Sequence, residues 1–271
     1  MNPTGSLKPT LRERLSGSDR LQLGGWISSG SPLIAEVMAG SGLDLLVIDM
    51  EHSAQVLPAV LTELQVLEAY PVTAVVRMAS DDPVGIKQVL DLGAQNLIVP
   101  MVSTPEQARE VARATRYPPA GIRGVGGSLS RSARWDRVPD YLARAGDLVS
   151  LFVQIETVEA VANAAGIAAT DGVDGVLVGP ADLAASYGLL GGHATDVVVS
   201  AVNQVIAEVR SAGKLVGVNA FDPVAAAAYA AAGAHFVLLG ADLLLLARAS
   251  EQLVATMRRG GDGGGGSVGQ Y

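Results

Sequence analysis

Residues 45–52 read Leu-Leu-Val-Ile-Asp-Met-Glu-His, and the reading of this stretch decides the fold. Four apolar residues, Leu45 to Ile48, run straight into Asp49, Glu51 and His52. A continuous apolar run of this length between turn signals reads as a strand buried on both faces. Charged groups at its end are costly to bury unpaired. They have a use if the strand opens into a site at its C-terminal end, as parallel strands do in α/β folds. The plainer reading of this segment alone is that Asp49 and Glu51 cap the next helix and His52 is solvated.

The same pattern recurs along the chain. Leu21–Ile27, Val72–Met78, Leu97–Val99, Leu148–Ile155, Val173–Val178, Lys214–Val218 and His235–Leu239 are further strand-like runs. Helix-like runs alternate with them, opened by Ser31-Pro32, by Asp81-Asp82-Pro83, and by a near capping box at Thr104–Gln107. Leu57–Ala69, Val158–Ala169, Val197–Ala212, Ala225–Ala232 and Leu243–Met257 read as helices too. Eight such alternations predict an α/β protein, a (β/α)8 TIM barrel. An open doubly wound sheet is the alternative, though no G-x-G-x-x-G follows the first strand. The expected division is an arm over residues 1–20, one barrel over 21–258, and a Gly-rich tail over 259–271. Tyr117–Trp135, rich in Gly, Pro, Ser and Arg, is long for a connection and is expected to be functional.

The bulk properties narrow the function. With 271 residues, 49% of them hydrophobic, one large barrel can fill its core. A net charge of −8 and a pI near 4.9 disfavour a nucleic-acid or anionic-membrane partner. The absence of cysteine excludes disulfides, thiolate metal sites and cysteine nucleophiles. The polar N-terminus is not read as a signal peptide, and no apolar run reaches membrane-spanning length, so a cytoplasmic location is expected.

Polar residues at barrel strand ends collect at one mouth. That rule gathers Asp49, His52, Arg77, Gln154, Glu156 and Asp182, with Trp26 and Ser28 from the first strand and Asp242 after the last. Glu156 and Asp182, from successive strand ends, would repel unless protonated or bridged by a cation. Hard divalent ions such as Mg²⁺ or Mn²⁺ accept such oxygens. The alternative is that both cap the helices that follow. Gly179-Pro180-Ala181-Asp182 puts small residues where main-chain amides could hold a carboxylate, or forms an ordinary turn. Arg77 suits a carboxylate or a developing enolate oxygen, or else pairs with Asp91 or a surface acid. His52 can act as a base, its tautomer fixed by Asp49. His193 reads as solvated and His235 as structural. Lys8, Lys87 and Lys214 are all misplaced for a Schiff base.

Together, DLLVIDMEHS, VVRM, VLDLGAQNLIVPMV, RYPPAGIRGVGG, VQIET and GVLVGPADL resemble the metal-dependent pyruvate aldolases of the HpcH/HpaI family. The likeness spans roughly residues 20–257. It implies a barrel of the phosphoenolpyruvate/pyruvate superfamily, a homo-oligomer, usually a hexamer, and a last helix exchanged between subunits. It implies a divalent metal (Mg²⁺, Mn²⁺ or Co²⁺) on Glu156 and Asp182, supported by Gln154. Pyruvate's carboxylate would touch the Gly179–Asp182 backbone, including Pro180 and Ala181. Arg77 would stabilise the enolate, and His52, oriented by Asp49, would take the proton of the C4 hydroxyl. Asp91 matches a family position near the site, at a subunit boundary. The implied reaction is reversible cleavage of a 4-hydroxy-2-oxo acid to pyruvate and an aldehyde.

The resemblance breaks at Ser130–Trp135, where a serine is displaced by one place, and at Ala145-Gly146. Both lie around the loop expected to meet the aldehyde or a neighbouring subunit. The competing readings are a lyase or synthase of the same superfamily acting on a CoA ester, with Arg123, Arg131 and Arg134 as phosphate partners, and a non-catalytic barrel that binds an oxo acid.

Overall fold

A computed structural model describes residues 7–260; residues 1–6 of the expected arm and 261–271 of the expected tail lie outside the described residues. The strands are β1 Gln22–Ile27, β2 Leu45–Asp49, β3 Thr73–Arg77, β4 Asn96–Val99, β5 Ser150–Ile155, β6 Gly175–Val178, β7 Leu215–Asn219 and β8 Phe236–Ala241. Each pairs in parallel with the next, and β8 returns to β1, closing the barrel. Closure removes the open-sheet alternative.

Twelve helices accompany them among the described residues: α1 Leu11–Ser16, α2 Pro32–Ala39, α3 Leu57–Leu67, α4 Pro83–Asp91, α5 Pro105–Thr115, α6 Tyr141–Arg144, α7 Val158–Ala162, α8 Ala164–Ala168, α9 Pro180–Ser186, α10 Asp196–Ser211, α11 Pro223–Ala232 and α12 Asp242–Gly260. The expected starts are where the caps place them. Ser31 Oγ accepts from the Ile34 amide, Asp82 from those of Val84 and Gly85, and Thr104 and Gln107 form a reciprocal capping box.

Strand β2 explains its own sequence. Leu45 and Val47 point into the barrel, alongside Val75, Ile98, Phe152, Leu177 and Phe236. Leu46 and Ile48 point outward, into the layer beneath the helices. Both faces are buried, so no polar alternation is possible. Inside, Phe152 and Phe236 meet edge to face, their centroids 5.7 Å apart. Gly217 lies directly against the Phe236 ring, where any side chain would overlap it.

The N-terminal floor is closed by α1. Leu11 and Leu15, both buried, complete the inner apolar layer. The Leu11 amide donates to Asn96 Oδ1 at 2.6 Å, and Arg12 pairs with Asp174 at 2.8 Å. Thr10 and Glu13 cap the helix reciprocally.

One expectation needs correction, and a second element is placed by the topology. Val158–Ala169 is not one helix: it breaks between α7 and α8 at Asn163, whose carboxamide donates to the Ser103 carbonyl at 2.8 Å. The Tyr117–Trp135 stretch joins α5 to β5, so it lies at the floor and not at the mouth of its own barrel. There it folds through two 3-10 turns onto a small core of Ala133, Val138, Tyr141 and Ala145.

Candidate active site

At the C-terminal mouth, Asp49 and Arg77 are paired residues on neighbouring strands β2 and β3. Both side chains are buried. Arg77 Nε donates to Asp49 Oδ1 at 2.9 Å and Nη2 to Oδ2 at 2.8 Å. This two-pronged contact compensates the burial of both charges. Arg77 Nη1 lies 3.1 Å from Glu51 Oε2, and its guanidinium sits 4.1 Å above the Trp26 ring. The Trp26 indole N–H in turn donates to Asn219 Oδ1 at 2.9 Å, tying β1 to β7.

Asp49 is therefore fully engaged, but not with the His52 ring. Besides Arg77 it accepts from the main-chain amides of Glu51 (3.0 Å) and His52 (3.3 Å). It shapes the turn that carries His52, whereas the imidazole Nε2 faces Glu51 Oε2 at 3.7 Å and is largely exposed. Arg77 pairs with Asp49 and Glu51, and not with Asp91.

Across the mouth, Glu156 is buried. Its Oε1 accepts from the Met101 amide at 2.6 Å, and Gln154 Nε2 hydrogen-bonds its Oε2. Burial pushes its carboxyl up to about 7; the hydrogen bonds from Met101 and Gln154 oppose this, and the charges of Glu51 and Asp182 add to it. Met101 holds that amide in place from a left-handed conformation, φ 58°. Asp182, in the first turn of α9, reaches the same mouth from β6, the strand beside β5. A Cβ on Gly179 would stand 3.1 Å from both Glu156 Oε2 and Gln154 Nε2, so any side chain there would crowd the carboxylate. Pro180 is buried behind that turn, while Ala181 and Asp182 are exposed.

The donor set fits a hard divalent cation. The charges of Glu51 and Asp182 add to the upward shift of Glu156, and those of Asp49 and Asp182 to that of Glu51. Carboxylate oxygens crowded in this way are relieved by a doubly charged ion. Among the described residues, no three or more such side chains already converge as a ligand cluster. The fit rests on Glu156 and Asp182.

The HpcH/HpaI aldolase/citrate lyase family matches residues 22–249 of the chain. This chain belongs to that family. A 4-hydroxy-2-oxo-heptane-1,7-dioate aldolase of Shigella sonnei is 49% identical over 236 residues, 87% of this chain and 90% of that one. A family member of Burkholderia cenocepacia superposes with a TM-score of 0.88 at 39% identity, covering 92% of this chain and 98% of its own. The citrate synthase SbnG superposes at 0.83 and 30% identity, covering 93% and 99%. Like its aldolase relatives, the chain is a carbon–carbon lyase.

In this family member the sequence reading left two parts of the mouth unrecognised. The sequence offers Glu51 only as a possible cap. Burial holds its carboxyl above the usual range, against the pull of Arg77, and it links Arg77 to His52. The spacing Asp-x-Glu-His after a buried strand was the available signal. Met101 acts through its main chain, for which side-chain chemistry gives no signal. Asp91, conversely, is not brought to this mouth. It ends α4, which runs from the mouth back to the floor, and pairs there with buried Arg123 at 2.8 Å. His235 is structural as expected: its Nδ1 accepts from the Val216 amide.

Proposed function

We propose that this chain is a cytoplasmic class II aldolase, reversibly cleaving a 4-hydroxy-2-oxo acid to pyruvate and an aldehyde. Mg²⁺, Mn²⁺ or Co²⁺ would be held by Glu156 and Asp182, with Gln154 steadying Glu156. One observation carries the reading: Arg77, buried and held by Asp49 and Glu51, shares its mouth with buried Glu156, whose carboxyl feels both Glu51 and Asp182. When bound, the cation supplies fixed positive charge beside the oxygen on which the enolate develops.

The remaining work falls to the chain. The main-chain N–H groups of Ala181 and Asp182 receive the substrate carboxylate, and Pro180 offers no N–H of its own. Arg77, fixed by Asp49 beneath and Trp26 alongside, points its remaining N–H groups at the keto oxygen. His52 takes the proton of the C4 hydroxyl. The C3–C4 bond then breaks, C4 leaves as the aldehyde carbon, and the electron pair passes to the C2 oxygen. Protonation at C3 gives pyruvate. A locked Arg77 is ready for the charge before it forms, so little reorganisation is needed.

The test is pyruvate release from a 4-hydroxy-2-oxo acid before chelation, after it, and after Mg²⁺, Mn²⁺ or Co²⁺ is restored. Loss and recovery are expected. Unchanged turnover in fully stripped protein would remove the metal, and no pyruvate under any condition would remove the aldolase. The CoA-ester reading drew on Arg123, Arg131 and Arg134, and all three lie toward the floor, against Asp91, the Leu92 carbonyl and Glu68. No helix of the described residues is long and apolar enough to cross a membrane.

The assembly belongs to the same proposal. Helix α12 exposes Leu243, Leu245, Leu246, Leu253 and Met257, and α2 exposes Leu33 and Val37. Exchange of α12 between copies in a hexamer would cover such faces. Residues 21–258 would be the catalytic unit.

A further inference from the structure

The floor of the barrel holds a cavity that the chemistry of the mouth does not use. It lies beside α1, the C-terminal end of α3 and the turn before β4, with about 30 Å³ of room. About 10–15 Å³ suffices for one water, so the recess holds about two, and beside half-exposed Glu68 it opens to solvent and admits a larger ion. Lys8, Arg14, Glu68, Thr73 and Arg131 line it.

These side chains are unequally satisfied. Lys8 Nζ donates to the carbonyls of Leu67 (2.9 Å) and Tyr70, and Arg131 Nη1 to that of Leu92 (3.0 Å). Glu68 is shared between Arg134 at 3.2 Å and Arg131 at 3.8 Å. Arg14 has no such partner among the described residues: its Nε is buried and unbonded, and Thr73 Oγ1 likewise. Asp44, whose carboxylate also feels Arg14, already gives both oxygens to Arg20. Burial lowers the proton affinity of Lys8 and of Arg131, and nearby Arg14 and Arg134 respectively lower it further. Gly93 leaves the space: a Cβ there would stand 2.7 Å from Arg131 Nη1. Three cations thus face one carboxylate that is already engaged, and two buried polar atoms lack partners. Groups left in this state are costly unless a ligand completes them.

We propose that this cavity binds a small tetrahedral oxyanion of the size and charge of inorganic phosphate, gripped by Arg14, Lys8 and Thr73 with Arg131 behind them. The guanidinium supplies the planar donors that suit such an ion. The ion would tie the α1 plug to α3 and to the Tyr117–Trp135 segment. The site is independent of the aldolase reading.

Inorganic phosphate is titrated calorimetrically into the full chain at ionic strength held constant with chloride. The mouth is first saturated with Mg²⁺ and oxamate, because Arg77 could also attract phosphate. Saturable one-site binding and a rise in Tm are expected. Arg14→Met and Thr73→Val should each weaken binding about tenfold or more, with turnover unchanged. Lys8→Gln carries the same expectation if either variant fails to fold. Phosphate acting no differently from chloride, or binding equally to the folded variants, would overturn the site. Acetate should bind more weakly, and equal binding would overturn the tetrahedral dianion.

Discussion

Asn96 at the floor and Gln154 at the mouth are both buried carboxamides on barrel strands, and the chain uses them differently. Asn96 accepts from the Leu11 amide at 2.6 Å and donates to the Ala74 carbonyl at 2.8 Å, so both ends are satisfied. Gln154 gives its N–H to Glu156, while its Oε1 has no partner. The contrast extends to their neighbours. Near Asn96, Thr10 and Glu13 satisfy each other and Leu11 fills the inner layer. Near Gln154, Glu156 is a buried acid pushed up to about 7, and Met101 holds its amide in a strained conformation. Asn96 and the Thr10–Glu13 cap beside it are closed on themselves, whereas Gln154 at the mouth stays open to something else. Stability and chemistry are therefore expected to separate along the barrel axis.

The strongest way to break that contrast is Glu156→Ala. Pyruvate release should fall by about 10³-fold, the scale of losing a principal electrostatic contributor. The apparent Tm should hold or rise, because a buried acid has gone. A variant that melts far below the wild type, yet turns over normally, would place Glu156 among the structural residues.

Leu11→Ala is the reciprocal change. Leu11 is 1% exposed in the inner layer, and a truncated core leucine costs about 2–5 kcal/mol. Chemical unfolding should report that loss, while the folded fraction keeps its kcat. Little change in stability would mean that α1 does not seal the floor.

Glu63, on α3, tests the contrast between the two ends. It is fully buried and neither oxygen has a hydrogen-bond partner. Burial lifts its carboxyl from 4.5 to about 7, with Asp242 adding to the shift and Gln55 opposing it. Because the folded value is the higher, its stabilising effect is complete below about pH 4.5. That effect is lost progressively as the pH rises through about 7. The change is on the order of 3 kcal/mol at about 1.4 kcal/mol per pH unit. Urea unfolding at pH 5, 6.5 and 8 should show Glu63→Gln flattening this fall relative to the wild type. Parallel curves would mean that Glu63 is ionised or solvated throughout.

Much of this arrangement could be read before any coordinates. Buried parallel strands leave continuous apolar runs, as in Leu45–Ile48, and caps such as Ser31, Asp82 and Thr104 mark helix starts through local hydrogen bonds. Arg77, Glu156 and Asp182 were legible because strand ends in a barrel share a mouth. What escaped depends on distant partners. Asn163 breaks a helix only because the Ser103 carbonyl is there to meet it. Asp49 turned out to serve Arg77 more than His52, a choice made by the pairing of β2 with β3. Asp91 and Arg123 find each other across 32 residues at the floor. No local pattern carries such pairings.

The smallest expected effect sharpens the contrast most finely. Thr10 Oγ1 accepts from the Glu13 amide at 3.3 Å, and Glu13 Oε2 accepts from the Thr10 amide at 2.7 Å. Thr10→Ala removes the first bond, and with it the hydroxyl's own donation to Glu13 Oε2 at 2.9 Å, and leaves the second, so about 1 kcal/mol should be lost. In a chain of this size that lowers Tm by about 2–4 °C. Leu11 and Leu15 keep their apolar contacts, so the plug stays in place and kcat and KM should match the wild type below the transition. Gln154→Ala is the matched change at the mouth. It too deletes one side-chain donor to a glutamate, here the buried Glu156, but its effect should appear in turnover and not in Tm. If Thr10→Ala slowed turnover as much as Gln154→Ala does, the two ends of the barrel would be coupled, and the division of labour drawn from their hydrogen bonding would fail.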